Sequence, residues 1–305
     1  MGISFAAPLV RLSDAHPLAI AVWRLLFSLG IIVVALVPSR GWRQWRRLDR
    51  QAFVLASIAG VMLALHFWSW NTSIGMTTVA ASVVLVNLQP VIVGALSAVW
   101  LREAPTNRQW AGIAIAMAGA VVVAWTDFGS SGTSATSGRA LLGDLLAFAG
   151  AVTAALYYLA GRRLRQTLDL WPYVALVYGA CLLTLLVIAF AAGVPLGGQP
   201  PRELAIFFGL ALGPMMLGHT GMNWALKYLP AFVVNLTLLG EPIGATLLAA
   251  VLPGIRETPP ALTLAGGVLV MLGILVALPG RARESGVGSR ESGTGNRESG
   301  VGSRE

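Results

Sequence analysis

Long apolar runs alternate along this chain with short polar breaks. A membrane-spanning helix needs roughly 20 mostly apolar residues, and nine runs approach that length: 17–37, 52–75, 78–101, 107–126, 140–160, 171–192, 204–226, 231–252 and 259–279. The breaks carry turn chemistry, as in Pro38-Ser39-Arg40-Gly41, Ala104-Pro105-Thr106-Asn107 and Thr258-Pro259-Pro260. A shorter apolar piece, Met1–Leu12, precedes them and is too short to span alone. Residues 127–138 (DFGSSGTSATSG) read as a flexible Gly/Ser linker. After Pro279 the chain becomes a seven-residue repeat, ESGVGSR-ESGTGNR-ESGVGSR, with no apolar face; segment 280–305 is expected to be disordered.

Composition agrees with a polytopic membrane protein. Of 305 residues 56% are hydrophobic and 11% charged, with a mean hydropathy of +0.74, whereas a soluble domain averages about 25% charged. The basic balance, pI near 10.7, raises nucleic acid as a partner. The charges lie in the gaps between apolar runs and form no single patch, so that reading is rejected. The segment RGWRQWRRLDR (40–50) is read as a topology determinant that meets anionic headgroups of the lipid bilayer. The chain starts without a basic signal region, and Ala6 breaks the myristoylation pattern. Cys181 is the only cysteine, so no intramolecular disulfide forms.

Sliding the chain on itself exposes an internal repeat. An offset of 152 lays Asn71 on Asn223, Pro90 on Pro242 and Gln89 on Glu241. An offset of 154 lays Arg102, Glu103, Gly112 and Gly119 on Arg256, Glu257, Gly266 and Gly273, and 155 lays Asp14 on Asp169 and Pro17 on Pro172. The expected fold is therefore all-α with ten transmembrane helices, in two inverted five-helix repeats at 1–126 and 139–279. The repeat also implies that about 15 residues of helix 1 are missing. Either the assigned start is too late, which is the preferred reading, or helix 1 is a stub.

An odd helix number per half inverts the second half. With a cytoplasmic N-terminus the inner loops hold eleven Lys and Arg and the outer loops four, which places both termini in the cytoplasm. Inverted repeats are typical of secondary transporters, with the substrate near the midplane between the halves.

The segments PLAIAVWRLLFSL (17–29), NTSIGMTTVAASVVLVNLQPVIVGALSAVWLRE (71–103), GIAIAMAGAVVV (112–123), LTLLGEPIGATLLAAVL (236–252) and GGVLVMLGILVAL (266–278) resemble the EamA type of the drug/metabolite transporter superfamily. The resemblance runs from Ile3 to Pro279. It implies a cavity lined mainly by helices 1, 3, 4, 6, 8 and 9, and efflux of an amino acid, metabolite or drug across the bacterial inner membrane. The short helix 1 departs from the family and leaves that cavity wall in doubt.

Ionisable groups inside a membrane cost about 3 kcal/mol at its centre on insertion scales, so each needs a reason. Glu241, beside the helix-breaking Pro242, is a candidate cavity carboxylate and coupling group, or a protonated packing group. Its repeat partner Gln89 sits beside Pro90 and cannot titrate. Arg24 is read as a gating or structural residue, held in an ion pair or snorkelling to the interface, with a family precedent for Arg there. At 100° per residue, His66, Ser69, Trp70, Ser73 and Thr77 fall on one polar stripe. His219 and Asn223 share a face four residues apart, and His219 lies one residue out of register with His66 in the repeat. These residues are candidates for the cavity wall. Asn71 is assigned to a helix contact and Trp68 to the interface.

Gly112, Ala116 and Ala120 offer a close-packing face, either within a monomer or in a homodimer. No cofactor or metal is expected: no Cys or carboxylate stands at ligand spacing from either His, and no Walker motif occurs. The reading is a secondary transporter of a small organic solute. A membrane enzyme acting on lipids or isoprenoids, and a non-transporting sensor or scaffold, are the alternatives.

Overall fold

The computed structural model describes residues 2–77, 79–128, 138–241, 244 and 261–278. Most of the expected linker, the heptad tail, Pro242 and the stretch holding Arg256 and Glu257 lie outside the described residues. A 3-10 turn Gly2–Phe5 leads into α1 (Ala6–Leu12), then α2 (Pro17–Ser39), α3 (Arg50–Ile74), α4 (Val79–Val86), α5 (Gln89–Trp100), α6 (Asn107–Phe128), α7 (Gly138–Leu164) and α8 (Leu170–Ala191). The next run is α9 (Pro201–Leu210), a π-helical segment Ala211–Thr220 and α10 (Gly221–Ala225); α11 (Ala231–Leu236) and α12 (Ala261–Ala277) complete it. The protein is an all-helical, multi-pass membrane protein. Six described helical runs are long and apolar enough to cross a bilayer, and Ala231–Gly240 and Leu264–Ala277 are shorter apolar helices.

Local chemistry places the helix ends. Pro17 opens α2, where a missing N–H costs nothing, and the His16 ring accepts from Leu18 N at 3.2 Å. Asp49 caps α3, accepting from Ala52 N at 2.7 Å. Between these helices Arg40 takes the left-handed conformation, φ 50°, which ends α2 after Pro38. The basic segment then folds back as a 3-10 turn, Gly41–Arg47, with Trp45 Nε1 donating to Pro172 O at 3.0 Å.

Helix α3 is the central element, packed between α7 and α8, and α2 packs on α8. Gly60 makes the α3–α8 approach possible: a Cβ there would lie 2.6 Å from Val177 O. The small-residue face of α6 is covered within the chain. Gly112 and Gly119 meet the backbone of α12 at Gly266, Val270, Gly273 and Ala277.

The loops expected to be cytoplasmic gather at one end of the bundle. Arg162 holds Glu103 through Nε at 2.9 Å and Nη2 at 2.7 Å, and Gln44 Nε2 donates to Asp169 at 2.6 Å. Lys227 Nζ lies 3.4 Å from the same Asp169 carboxylate. The Gln44 amide, helped by Lys227, holds the Asp169 carboxyl below its ordinary value. Its small contribution is thus present above the ordinary carboxylate pKa of about 3.9, and is lost as pH falls through the lowered value. At the opposite end Arg202 pairs with Asp14 at 2.9 Å, Ser13 bonds Glu203, and Thr77 donates to Asp144 at 2.7 Å.

Candidate functional site

Pro90 sets the geometry of the central region. It lacks an N–H, and its ring crowds the carbonyl four residues back. The run 79–100 is accordingly two helices: α4 ends at Val86, Asn87 and Leu88 turn, and α5 begins at Gln89. Bonds there tighten to three-residue spacing, with Val91 N donating to Leu88 O at 3.0 Å. A second break lies alongside. Helix α11 ends at Leu236 and passes through a 3-10 turn, Thr237–Gly240, to Glu241. Gln89 joins the two, its amide donating to Asn235 Oδ1 on α11. Interrupted helices are tolerated in a membrane only where protein or a cavity satisfies the freed groups.

A cavity of ≈ 40 Å³ lies against both breaks. Its wall includes Val86, Asn87 and Gln89 on one side and Leu238 and Glu241 on the other, with Arg24, His66, Phe67, Trp70, Tyr158 and His219 between. Such a volume holds only about three waters, whereas pockets for organic ligands run to roughly 300–1,000 Å³. The cavity is thus well below the size of an organic-ligand pocket.

Helix α3 supplies the aromatic wall. His66 Nδ1 lies 2.9 Å from Gly150 O of α7, so that nitrogen carries the proton and donates, leaving Nε2 as an acceptor. Trp70 stacks parallel to the His66 ring at 6.2 Å between centroids. His219 approaches from the π-helical segment, 6.3 Å from His66 in a T-shape, and shares a 3.0 Å hydrogen bond with Tyr158 Oη. Pro214 interrupts that segment's regular bonding, and i→i+5 spacing advances each side chain by less than an α-helix does. A one-residue slip between the two halves therefore still brings the imidazoles together.

Arg24 departs from the sequence expectation. It is 1% exposed, and no carboxylate among the described residues lies within ion-pair distance. Its burial is not that of a snorkelling side chain, and among the described residues it has no ion-pair partner. Its Cζ sits 3.8 Å over the Phe67 ring, and Nε and Nη2 have no hydrogen-bond partner. Burying a guanidinium costs several kcal/mol even after relaxation, and a desolvated cation–π contact returns about 2. The balance is unfavourable without a further partner.

Of the other predicted residues, His66, Trp70, Gln89, His219 and Glu241 line the cavity, and Ser69, Ser73, Asn223 and Pro90 stand behind its wall. Ser69 Oγ donates to His66 O at 3.2 Å, and Ser73 Oγ meets Ser82 Oγ at 2.6 Å. Asn223 is held by Tyr157 Oη at 2.5 Å, in a buried group with Tyr178 and Thr220. Asn71 reaches Pro17 O at 3.5 Å, and Trp68 is half-buried against the core. The sequence reading missed Phe67, Asn87, Tyr158, Pro214, Ile3 and Ala6. Asn87 had a signal, being polar and three residues before the proline. Ile3 and Ala6 line the cavity on the side of the short first helix, and Gly213 and Gly218 let the N-terminal turn approach the π-helical segment.

The model of the EamA-like transporter family matches residues 1–125 and 141–278. The uncharacterized transporter YyaM of Bacillus subtilis is 25% identical, over 86% of this chain and 84% of that protein. A probable terminal-alkyne amino-acid exporter of Streptantibioticus cattleyicolor is 28% identical, over 92% of each. An uncharacterized transporter of Archaeoglobus fulgidus is 28% identical, over 91% of this chain and 94% of that protein. A solved crystal structure superposes with a TM-score of 0.74 at 20% identity, covering 90% of this chain and 92% of the other, a likeness of fold.

Proposed function

The chain belongs to the EamA-like transporter family, and from that premise we propose that it exports a small organic solute across the bacterial cytoplasmic membrane by alternating access. The observation that carries the proposal is the cavity of ≈ 40 Å³ at two adjacent helix breaks, with Arg24, two histidines and Glu241 in its wall. Both termini are assigned to the cytoplasm by the eleven basic residues of the loops on that side. Glu241 is the proposed coupling group, since it is the one carboxylate among the described lining residues. The printed name of the Streptantibioticus relative makes amino acids the first solutes to try. The test compares metabolites retained by cells lacking the gene with those of cells overexpressing it. One solute should accumulate in the first and be depleted in the second; identical profiles would count against transport.

Contacts between the two sequence halves at each end supply the elements that alternate. Glu103 and Arg162 join the halves at the basic end, and Asp14 and Arg202 join them at the other. Rocking opens one set while the other holds. Glu103→Gln should weaken the basic end by about 1 kcal/mol, a factor of about five in population. In a Cys181→Ser background, Leu238→Cys should then react about fivefold faster with an impermeant maleimide applied on that face. An unchanged rate would remove this pair from the gate.

A further inference from the structure

The fully buried side-chain atoms of the cavity wall that lack partners all have one character. Among buried side-chain atoms with no hydrogen-bond partner, those on lining residues are Arg24 Nε and Nη2, Trp70 Nε1 and Asn87 Nδ2. All four are donors. The fully buried unpartnered amide oxygens, Asn71 Oδ1 and Asn223 Oδ1, and the hydroxyls of Ser4 and Tyr173 belong to residues outside the lining. Native interiors rarely leave buried donors unmet, so four around one cavity call for an acceptor-rich ligand. Arg24, Trp70 and Asn87 are 1%, 6% and 3% exposed, and they come from three different helical regions: α2, α3 and the α4–α5 turn.

We propose that the transported solute is anchored in this cavity by a carboxylate, received by Arg24 with Trp70 Nε1 and Asn87 Nδ2 as flanking donors. This rests on the transporter reading above and names the chemical class that the same site takes. The two open nitrogens of Arg24, Nε and Nη2, form one edge of the guanidinium fork, and that edge presents two parallel N–H bonds matched to the two oxygens of a single carboxylate. The Phe67 ring fixes the fork from one face, which leaves the edge free for the ligand. A cationic solute would meet the fixed charge of Arg24 at this edge. A phosphate dianion would ask for more positive charge than Arg24 supplies as the only Arg or Lys among the described lining residues. The remaining wall of Phe67, Trp70, Tyr158 and the two imidazoles suits an apolar or aromatic body.

The test uses the full chain in proteoliposomes and mass spectrometry of solute movement, net of protein-free liposomes. The probes are acid and amide pairs of one shape: L-phenylalanine with L-phenylalaninamide, L-leucine with L-leucinamide, and 3-phenylpropionate with 3-phenylpropionamide. Inorganic phosphate and chloride are run beside them. The wild type should move at least one acid about tenfold faster than its amide, and Arg24→Gln should erase the difference. Arg24→Lys, which keeps the charge and loses the fork, should retain the preference at a higher half-saturation concentration. Trp70→Phe keeps the ring and removes one donor, so it should raise the acid's half-saturation more than the amide's. It also covers the case in which Arg24→Gln fails to fold. Acids and amides moving alike, or an acid preference that survives Arg24→Gln, would overturn the anchor and leave transport standing. Phosphate or chloride moving while no organic acid does would assign the donors to an inorganic anion and overturn it too. No probe moving through the wild type would overturn both readings.

Discussion

Gly273→Leu is expected to remove the protein from the membrane fraction. A Cβ at Gly273 would lie 2.4 Å from Ala116 N, 2.6 Å from Gly112 O and 2.7 Å from Ala116 Cα. All three are backbone atoms of α6, so no flexible side chain can swing aside. The reciprocal contacts are as close, with a Cβ at Gly112 falling 2.6 Å from both Gly273 O and Ala277 N. Lipid gives no hydrophobic drive between helices, so their association relies on the dispersion contact that small residues permit. A single methylene forced into a packed core costs about 1–3 kcal/mol; an isobutyl group here must push two backbones apart along the most extensive helix pair among the described residues. Gly179→Ala is the control. Nothing lies within 4 Å of a Cβ there, in mid-α8, so the change should be neutral or stabilising by up to about 1 kcal/mol. Fluorescence-detected size exclusion of a tagged protein checks both. A monodisperse Gly273→Leu peak of wild-type height would mean that α6 and α12 do not depend on this contact.

That contact was half-legible in the sequence. The stripe Gly112, Ala116, Ala120 announced a close-packed face, but spacing alone does not say whether the partner is in the same chain. Span positions were more readable, because hydrocarbon thickness fixes a length that composition reveals directly. Pro17 opens α2 for a local reason that needed no tertiary information.

The cavity wall was less readable, and α3 shows why. Its polar stripe located His66 and Trp70, yet the same stripe includes Ser69 and Ser73, which α7 and α4 cover. Helical phase gives a direction; the neighbouring helix decides what that direction meets. Phe67 escaped notice because an apolar residue does not stand out in an apolar helix, although it is the surface on which Arg24 rests. The surroundings of Arg24 were hidden for a related reason. An ion pair or an interface is the usual answer for an intramembrane charge, and the sequence cannot show that among the described residues an aromatic face meets it instead.

His66→Ala and Glu241→Gln are each expected to reduce export by at least about tenfold while leaving expression and topology intact. The two changes test different links. Alanine at 66 removes the ring that bonds Gly150 O at 2.9 Å and stacks on Trp70, so the wall loses both its tie to α7 and its aromatic surface. Glutamine at 241 keeps the shape and much of the hydrogen bonding of the carboxyl group but cannot ionise. A solute that still binds to Glu241→Gln, yet moves slowly, would place that residue in coupling. Loss of binding in His66→Ala would place the imidazole in the solute's pocket. The measurement is solute binding and export on the same two preparations, beside wild type. Wild-type export by both would make the histidine a packing group and the carboxyl a helix contact, and the broken helices would then need another purpose. Failure of Glu241→Gln alone to slow export would leave the cavity in place and remove only the coupling role, because the Arg24 edge and the aromatic wall do not depend on an ionisable group at 241.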